Sequence, residues 1–183
     1  MNKPDTGSRI PVRRLTELAL LTALALIIFV IELRIPDLVP IPGVKLGLAN
    51  IITVYAVFRY QPGETALVVL MRIVLGAVFA GRISALLYSA AGALLCLLGM
   101  LAVRRVVSGN YIWLCSVLGA ILHNTGQIMA AAALMRTAAV FSYFPVLVFT
   151  GCIAGAFTGM CAQLLVARLE KHSRNCSANE LQK

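Results

Sequence analysis

Arg72 stands in the run Leu70-Met71-Arg72-Ile73-Val74, an isolated cation among apolar side chains. If that run crosses a bilayer, an arginine near its centre costs about 2.5–3.5 kcal/mol on insertion scales. The run is apolar enough to absorb the cost, so a cation retained there implies a partner, a wet cavity or a bound anion. Two roles fit it: a ligand contact, or a clamp onto a carbonyl or acid of a neighbouring helix. A second polar stretch is His123-Asn124-Thr125-Gly126-Gln127. His123 and Gln127 are four residues apart and share a helix face, which Ser116 and Gly119 extend. A lone histidine at membrane depth is most often a helix-to-helix hydrogen bond. Three imidazole or amide side chains within one and a half turns exceed that need.

Tyr88 lies on a stripe with Ser84, Gly92 and Gly99, while Lys45 and Asn50 flank the end of a Pro-rich segment. The candidate ligand-binding set is therefore Lys45, Asn50, Arg72, Tyr88, His123, Asn124 and Gln127, with Glu32 the chief acid against it. Such a set suits an anionic or hydrogen-bonding small molecule. Catalysis is not expected. Asp5 and Asp37 are the only aspartates, Glu17, Glu32 and Glu64 sit at the ends of apolar runs, and no nucleophile has a base beside it. Gly76 to Ile83 has the glycine spacing of a phosphate-binding loop, but Arg82 stands where lysine is needed and Ile83 where a magnesium-binding hydroxyl belongs. Cys96, Cys115, Cys152 and Cys161 lie in apolar runs and Cys176 in a polar one, with no zinc spacing and no disulfide framework. No metal and no cofactor are expected.

The elements that must position these residues follow from composition. The chain has 183 residues, 60% hydrophobic and only 13% charged, with a mean hydropathy of +0.90. A soluble domain carries roughly 25% charged residues and could not hide this much apolar surface. That excludes a soluble enzyme, a disordered chain and a secreted disulfide scaffold, and leaves an all-α polytopic membrane protein in contact with lipid. The net charge of +9 comes from Lys and Arg standing singly or in pairs between apolar runs, not from a basic stripe interleaved with aromatics. It reads as membrane flanks, not as a nucleic-acid surface.

Six apolar segments are expected. The first runs from Leu15 to Leu33 and reads as an uncleaved span; its Ala23-Leu24-Ala25 lies too deep to be a cleavage site. Arg34 to Leu46 carries Pro36, Pro40, Pro42 and Gly43 and cannot be continuous helix. A short second segment covers Gly47 to Tyr60 and could be tilted, re-entrant or partly covered. The others cover Glu64 to Ala80, Ser84 to Val103, Tyr111 to Met135, and Tyr143 to Ala167 with Pro145 in its first turn. This gives a tail over 1–14, a membrane domain over 15–167 and a polar tail over 168–183 that need not be folded. With the N-terminus inside, eleven Lys and Arg fall on the cytoplasmic side and four (Arg34, Lys45, Arg82, Arg136) outside. That bias predicts six spans with both ends cytoplasmic. The row Gly151, Gly155 and Gly159 reads as close helix packing, and Ala19 and Ala23 form another pair of small residues.

Taken in order, Pro42-Gly43-Val44-Lys45-Leu46-Gly47-Leu48-Ala49-Asn50, Arg72, His123-Asn124-Thr125-Gly126-Gln127 and Pro145 with Thr150-Gly151 and Gly155 resemble the bacterial Gx transporter family, also labelled heptaprenyl diphosphate synthase component I. The likeness covers residues 15–167, with Thr150 where a serine is expected. That family is similar to the substrate-binding S components of energy-coupling-factor (ECF) transporters, six-helix membrane proteins with an outward-facing ligand cavity. The resemblance implies capture of a vitamin-like or precursor molecule at the bacterial cytoplasmic membrane. It also implies docking of a coupling subunit, itself joined to two ATPases, on an Ala-x-x-x-Ala motif that Ala19-Leu20-Leu21-Thr22-Ala23 matches. The other label implies a link to isoprenoid or quinone synthesis, with a prenyl diphosphate synthase subunit as partner. A synthase active site needs aspartate-rich motifs to bridge magnesium and diphosphate. Two aspartates cannot supply them, so the alternative role is a non-catalytic accessory subunit.

Overall fold

The computed structural model describes residues 11–32, 34, 47–81, 83–106 and 111–181; Lys45 and the rest of the Pro-rich segment between Arg34 and Gly47 lie outside them. Six α-helices follow in order: α1 Val12–Glu32, α2 Asn50–Arg59, α3 Pro62–Ala80, α4 Ile83–Val103, α5 Ile112–Met135 and α6 Phe144–Leu181. A 3-10 helix, Ala138–Tyr143, precedes α6, and the described residues contain no strand. The breakers in the sequence act as chemistry requires. Pro62 opens α3, and Gln61 and Glu64 close a reciprocal capping box in which Glu64 Oε2 accepts the Gln61 N–H at 2.9 Å. Gly81, at φ 65, ends α3 in the left-handed conformation that glycine adopts without strain.

Five of the helices are long and apolar enough to cross a membrane, counting Ala138–Leu169 as one segment. Polarity is inverted relative to a soluble fold: Leu20, Val78, Phe79 and Phe149 are exposed, whereas Glu32, Asn50, Arg72 and Gln127 are buried. The chain is a multi-pass helical membrane protein. Helix α6 differs from the sequence expectation, since it continues beyond position 167 as one helix to Leu181.

The short α2 is the centre of the bundle. Its residues Ile52 to Val57 are all buried, so no face is left for lipid, as an element apolar on every side demands. Two contacts give its direction. Tyr60, after its C-terminus, donates to Glu17 Oε2 at 3.2 Å, while Gly47, before its N-terminus, donates its N–H to the Glu32 carboxylate. Glu17 and Glu32 are fifteen residues apart on α1, and Gly47 and Tyr60 thirteen apart, so α2 with its flanks runs back along α1 over about 20 Å. Call the level of Glu17 the near end and that of Glu32 the far end. At the near end Arg14 makes two hydrogen bonds to Glu64, 2.9 and 3.0 Å, and stacks over the Tyr60 ring at 4.6 Å. Arg104, after α4, donates to the carbonyls of Val57 and Tyr60 and so satisfies the exposed C-terminus of α2.

Helices α4, α5 and α6 pack through glycine. A Cβ at Gly126 of α5 would lie 2.7 Å from the Ala91 carbonyl oxygen of α4, and one at Gly159 of α6 would lie 2.5 Å from Trp113 Cα of α5. Only hydrogen fits at either point, as the small-residue rows led one to expect.

Candidate functional site

Away from the near-end ion pairs, the buried ionisable and amide side chains among the described residues are Glu32, Asn50, Arg72, Asn124 and Gln127. Arg72, on the inward face of α3, is 9% exposed. It interacts electrostatically with Glu32 of α1, Cys96 of α4 and His123 of α5. Cys96 in turn exchanges weak hydrogen bonds with the Asn50 amide of α2, at 3.7 and 3.8 Å. The Arg72 guanidinium is therefore within electrostatic reach of groups from α1, α4 and α5. Among the described residues it has no hydrogen bond and no ion pair within 4.0 Å.

Glu32 is 2% exposed. Its carboxylate accepts the Gly47 N–H and faces those of Leu48 and Ala49. These are the amides that α2 leaves free, because Asn50, Ile51 and Ile52 already donate to the carbonyls of Gly47, Leu48 and Ala49 at 2.8, 3.1 and 3.3 Å. An acid at the positive end of a helix is favourably placed, and a buried carboxylate without such donors would be costly.

The His-Asn-x-Gly-Gln stretch divides its labour. Asn124 is buried and donates through Nδ2 to the Leu147 carbonyl of α6 at 2.6 Å, which makes it a clamp between α5 and α6. His123 and Gln127 straddle Gly92 of α4: a Cβ there would lie 3.0 Å from His123 Nδ1 and 2.8 Å from Gln127 Cγ. His123 Nδ1 and Gln127 Oε1 are buried and have no hydrogen-bond partner among the described residues, a state that native interiors rarely tolerate. Tyr88 is buried on α4, one turn before Gly92. Between α2, α5 and α6, Gly47, Asn50, His123, Asn124 and Thr158 line a cavity of about 10 Å³, room for a single water. The structure thus brings Asn50, His123 and Asn124 to one cavity and sets Arg72, Gln127 and Tyr88 in the surrounding packing.

The seating of Glu32 and the role of Cys96 were not legible in the sequence. Glu32 was legible as the acid closing the first apolar run, but nothing in the spacing paired it with Gly47. Cys96 reads as a small hydrophobe and is the partner of Asn50. Among the described residues no group of His, Cys, Asp or Glu could hold a metal ion.

A second feature faces outward. Helices α1 and α3 run parallel and enclose an apolar groove of about 420 Å³ lined by Leu15, Ala19, Ala23, Leu67, Met71 and Leu75. The same two helices are joined by the Arg14–Glu64 pair near their N-termini and by the Phe29 ring, 3.1 Å from where a Cβ of Gly76 would stand, toward their C-termini.

No curated protein and no solved structure matches the chain. A family model does, that of heptaprenyl diphosphate synthase component I, over residues 21–165. The match takes in α2, the Arg72 helix, the α5 polar stretch and the glycine row of α6, and by it the chain belongs to the heptaprenyl diphosphate synthase component I family.

Proposed function

We propose that this protein binds a small anionic or polar molecule taken from outside the cell, as the substrate-capture subunit of a transporter of the ECF S-component kind. The observation that carries the reading is the set of polar groups Arg72, Glu32, His123 and Gln127 inside a membrane bundle, where His123 Nδ1 and Gln127 Oε1 are buried with no hydrogen-bond partner among the described residues. Such groups are expensive at this depth unless they meet water, each other or a ligand. The excess of Lys and Arg at the near end supports a topology of six traversals with both termini cytoplasmic, α2 being the short one. The cluster then faces the outer leaflet of a bacterial cytoplasmic membrane. A cavity of about 10 Å³ is far below the roughly 300–1,000 Å³ of small-molecule sites, so binding requires the outer ends of α2, α5 and α6 to part. The groove on α1 and α3, floored by Ala19 and Ala23, is the surface for a coupling subunit, to which two ATPases attach. The protein itself is not an enzyme.

Mass spectrometry of small molecules retained by the purified protein identifies the ligand. Arg72→Ala and Gln127→Ala should each weaken its retention about tenfold or more, as expected for a lost charged or buried hydrogen bond. Arg136→Ala, at the end of α5, should leave it unchanged. Normal retention by a thermally weakened Arg72→Ala protein would assign Arg72 to helix clamping.

The family description favours a second reading, a non-catalytic membrane partner of a prenyl diphosphate synthase. The soluble proteins that copurify separate the two: ATPases for capture, a prenyl synthase for the accessory role.

A further inference from the structure

We infer that the site is entered past one wall: the far end of α2 swings away from α5 and α6, which stay together, about a pivot at its near end. The inference rests on the capture reading above and says which of the three helices around the cavity moves. Helices α5 and α6 are the costly pair to part. Gly155 and Gly159 of α6 bring backbone to backbone, a Cβ at Gly155 meeting Val117 Cα at 2.9 Å. Two buried hydrogen bonds also join them, Asn124 to the Leu147 carbonyl at 2.6 Å and Ser116 with Thr158 at 3.1 Å. At membrane depth no water stands ready to replace those bonds. The two ends of α2 differ. At the near end Arg104 holds the carbonyls of Val57 and Tyr60, and Thr65 donates to the Ala56 carbonyl at 3.1 Å. There Val54 and Val57 pack in one core with Met100, Ile112, Cys115 and Ala162. Asn50 is four residues before Val54 on the same face, but at its level α2 stands off α6 across the cavity that Asn50 and Thr158 line. Its hydrogen bonds to α4 at that end, among the described residues, are the Asn50–Cys96 contacts at 3.7 and 3.8 Å, in which sulfur is a weak donor and acceptor. The Gly47 N–H binds Glu32 of α1, a helix that packs on α2 and α3, so that bond travels with the moving end. A helix capped and packed at one end, and held by a thiol beside a void at the other, opens from the second.

Two native thiols read this motion without a ligand. Cys96 lies under the far end of α2 and Cys115 under its near half, and they are 1% and 0% exposed, so a rigid molecule would protect both alike. The full-length protein in detergent, with Cys152, Cys161 and Cys176 replaced by serine, is treated with N-ethylmaleimide, and labelling at each site is followed by mass spectrometry. Cys96 should react about tenfold faster or more, because local opening needs less free energy than unfolding. Equal rates, or a faster Cys115, overturn the inference. Asn124→Cys with Gly151→Cys tests which wall moves. A Cβ at Gly151 would stand 3.5 Å from Asn124 Cγ, where the other cysteine's sulfur would lie, so the two can join α5 to α6 through a disulfide. With that disulfide closed, Cys96 should react as fast as before. Protection of Cys96 would mean that α5 and α6 part, and overturns the inference. Arg104→Gln, which removes the near-end pin, covers the case in which the disulfide does not form. It should raise the rate at Cys115 toward that at Cys96, and an unchanged Cys115 rate overturns the pivot. The outcome is separable from the capture reading. Fast Cys96 with no retained metabolite sustains the moving wall and sinks capture; a retained metabolite with equal thiol rates does the reverse.

Discussion

Gly126→Ala tests how tight the α4–α5 contact is, which holds His123 and Gln127 against α4. The new Cβ would lie 2.7 Å from the Ala91 carbonyl oxygen, 2.9 Å from Gly92 Cα and 3.0 Å from Ala91 C. Ordinary carbon contacts lie at about 3.5–4.0 Å, so the helices must part by roughly half an ångström or more. Every obstructing atom is backbone, and no rotamer can relieve it. Overpacking of this kind costs about 1–3 kcal/mol, and replacing a helical glycine by alanine returns about 0.5–1 kcal/mol. The net is a loss of about 1–2 kcal/mol, or a melting temperature lower by roughly 2–8 °C for a chain of this size. Two other glycines calibrate it. At Gly63, in the first turn of α3, nothing lies within 4 Å, so alanine should be neutral or slightly stabilising. At Gly119 the nearest atom is the Met100 Cε at the tip of a flexible side chain, so alanine should fall between the two. Fluorescence of the single tryptophan, Trp113, in detergent-purified protein reads all three. A Gly126→Ala protein that melts at or above Gly63→Ala would refute the close approach, and with it the placement of His123 and Gln127.

Asn124→Ala should destabilise the protein by about 0.5–1.5 kcal/mol in the same assay, because the 2.6 Å bond between α5 and α6 is lost while the Leu147 carbonyl keeps its place in the α6 ladder and a 3.3 Å bond from Thr150. Unaltered melting together with lost ligand retention would make Asn124 a ligand contact instead of a clamp. Leu at both Ala19 and Ala23 should fill the α1–α3 groove and abolish assembly with a coupling subunit while leaving ligand retention intact; joint loss of both would mean that the groove matters for packing within this chain. In a chain with the other four cysteines replaced, Cys176 should resist an impermeant thiol reagent in intact cells and react after permeabilisation, and Asp37→Cys should do the opposite. Labelling of Cys176 in intact cells overturns the proposed orientation.

The class of fold and the limits of α3, α4 and α5 were legible in the sequence, because both rest on local properties; the end of α6 at Leu181, beyond the expected limit of 167, was not. Apolar runs of membrane length, Pro62, Gly81 and the Pro-rich segment after Glu32 act within a few residues of where they stand, and the structure places α3, α4 and α5 within two residues of the expected limits. Arg72 and the His-Asn-x-Gly-Gln stretch also announced themselves, since a polar group in an apolar run needs no partner to be conspicuous. Their partners were not legible. That Glu32 sits on the amides of Gly47 to Ala49, that Asn124 holds α6 while His123 and Gln127 straddle Gly92, and that α2 is enclosed by its neighbours are facts of long-range contact. Helical spacing says which side chains share a face and leaves open which helix that face meets. In lipid that choice is made by close backbone approach at glycine and by the pairing of buried polar groups, which exist only once the helices are together.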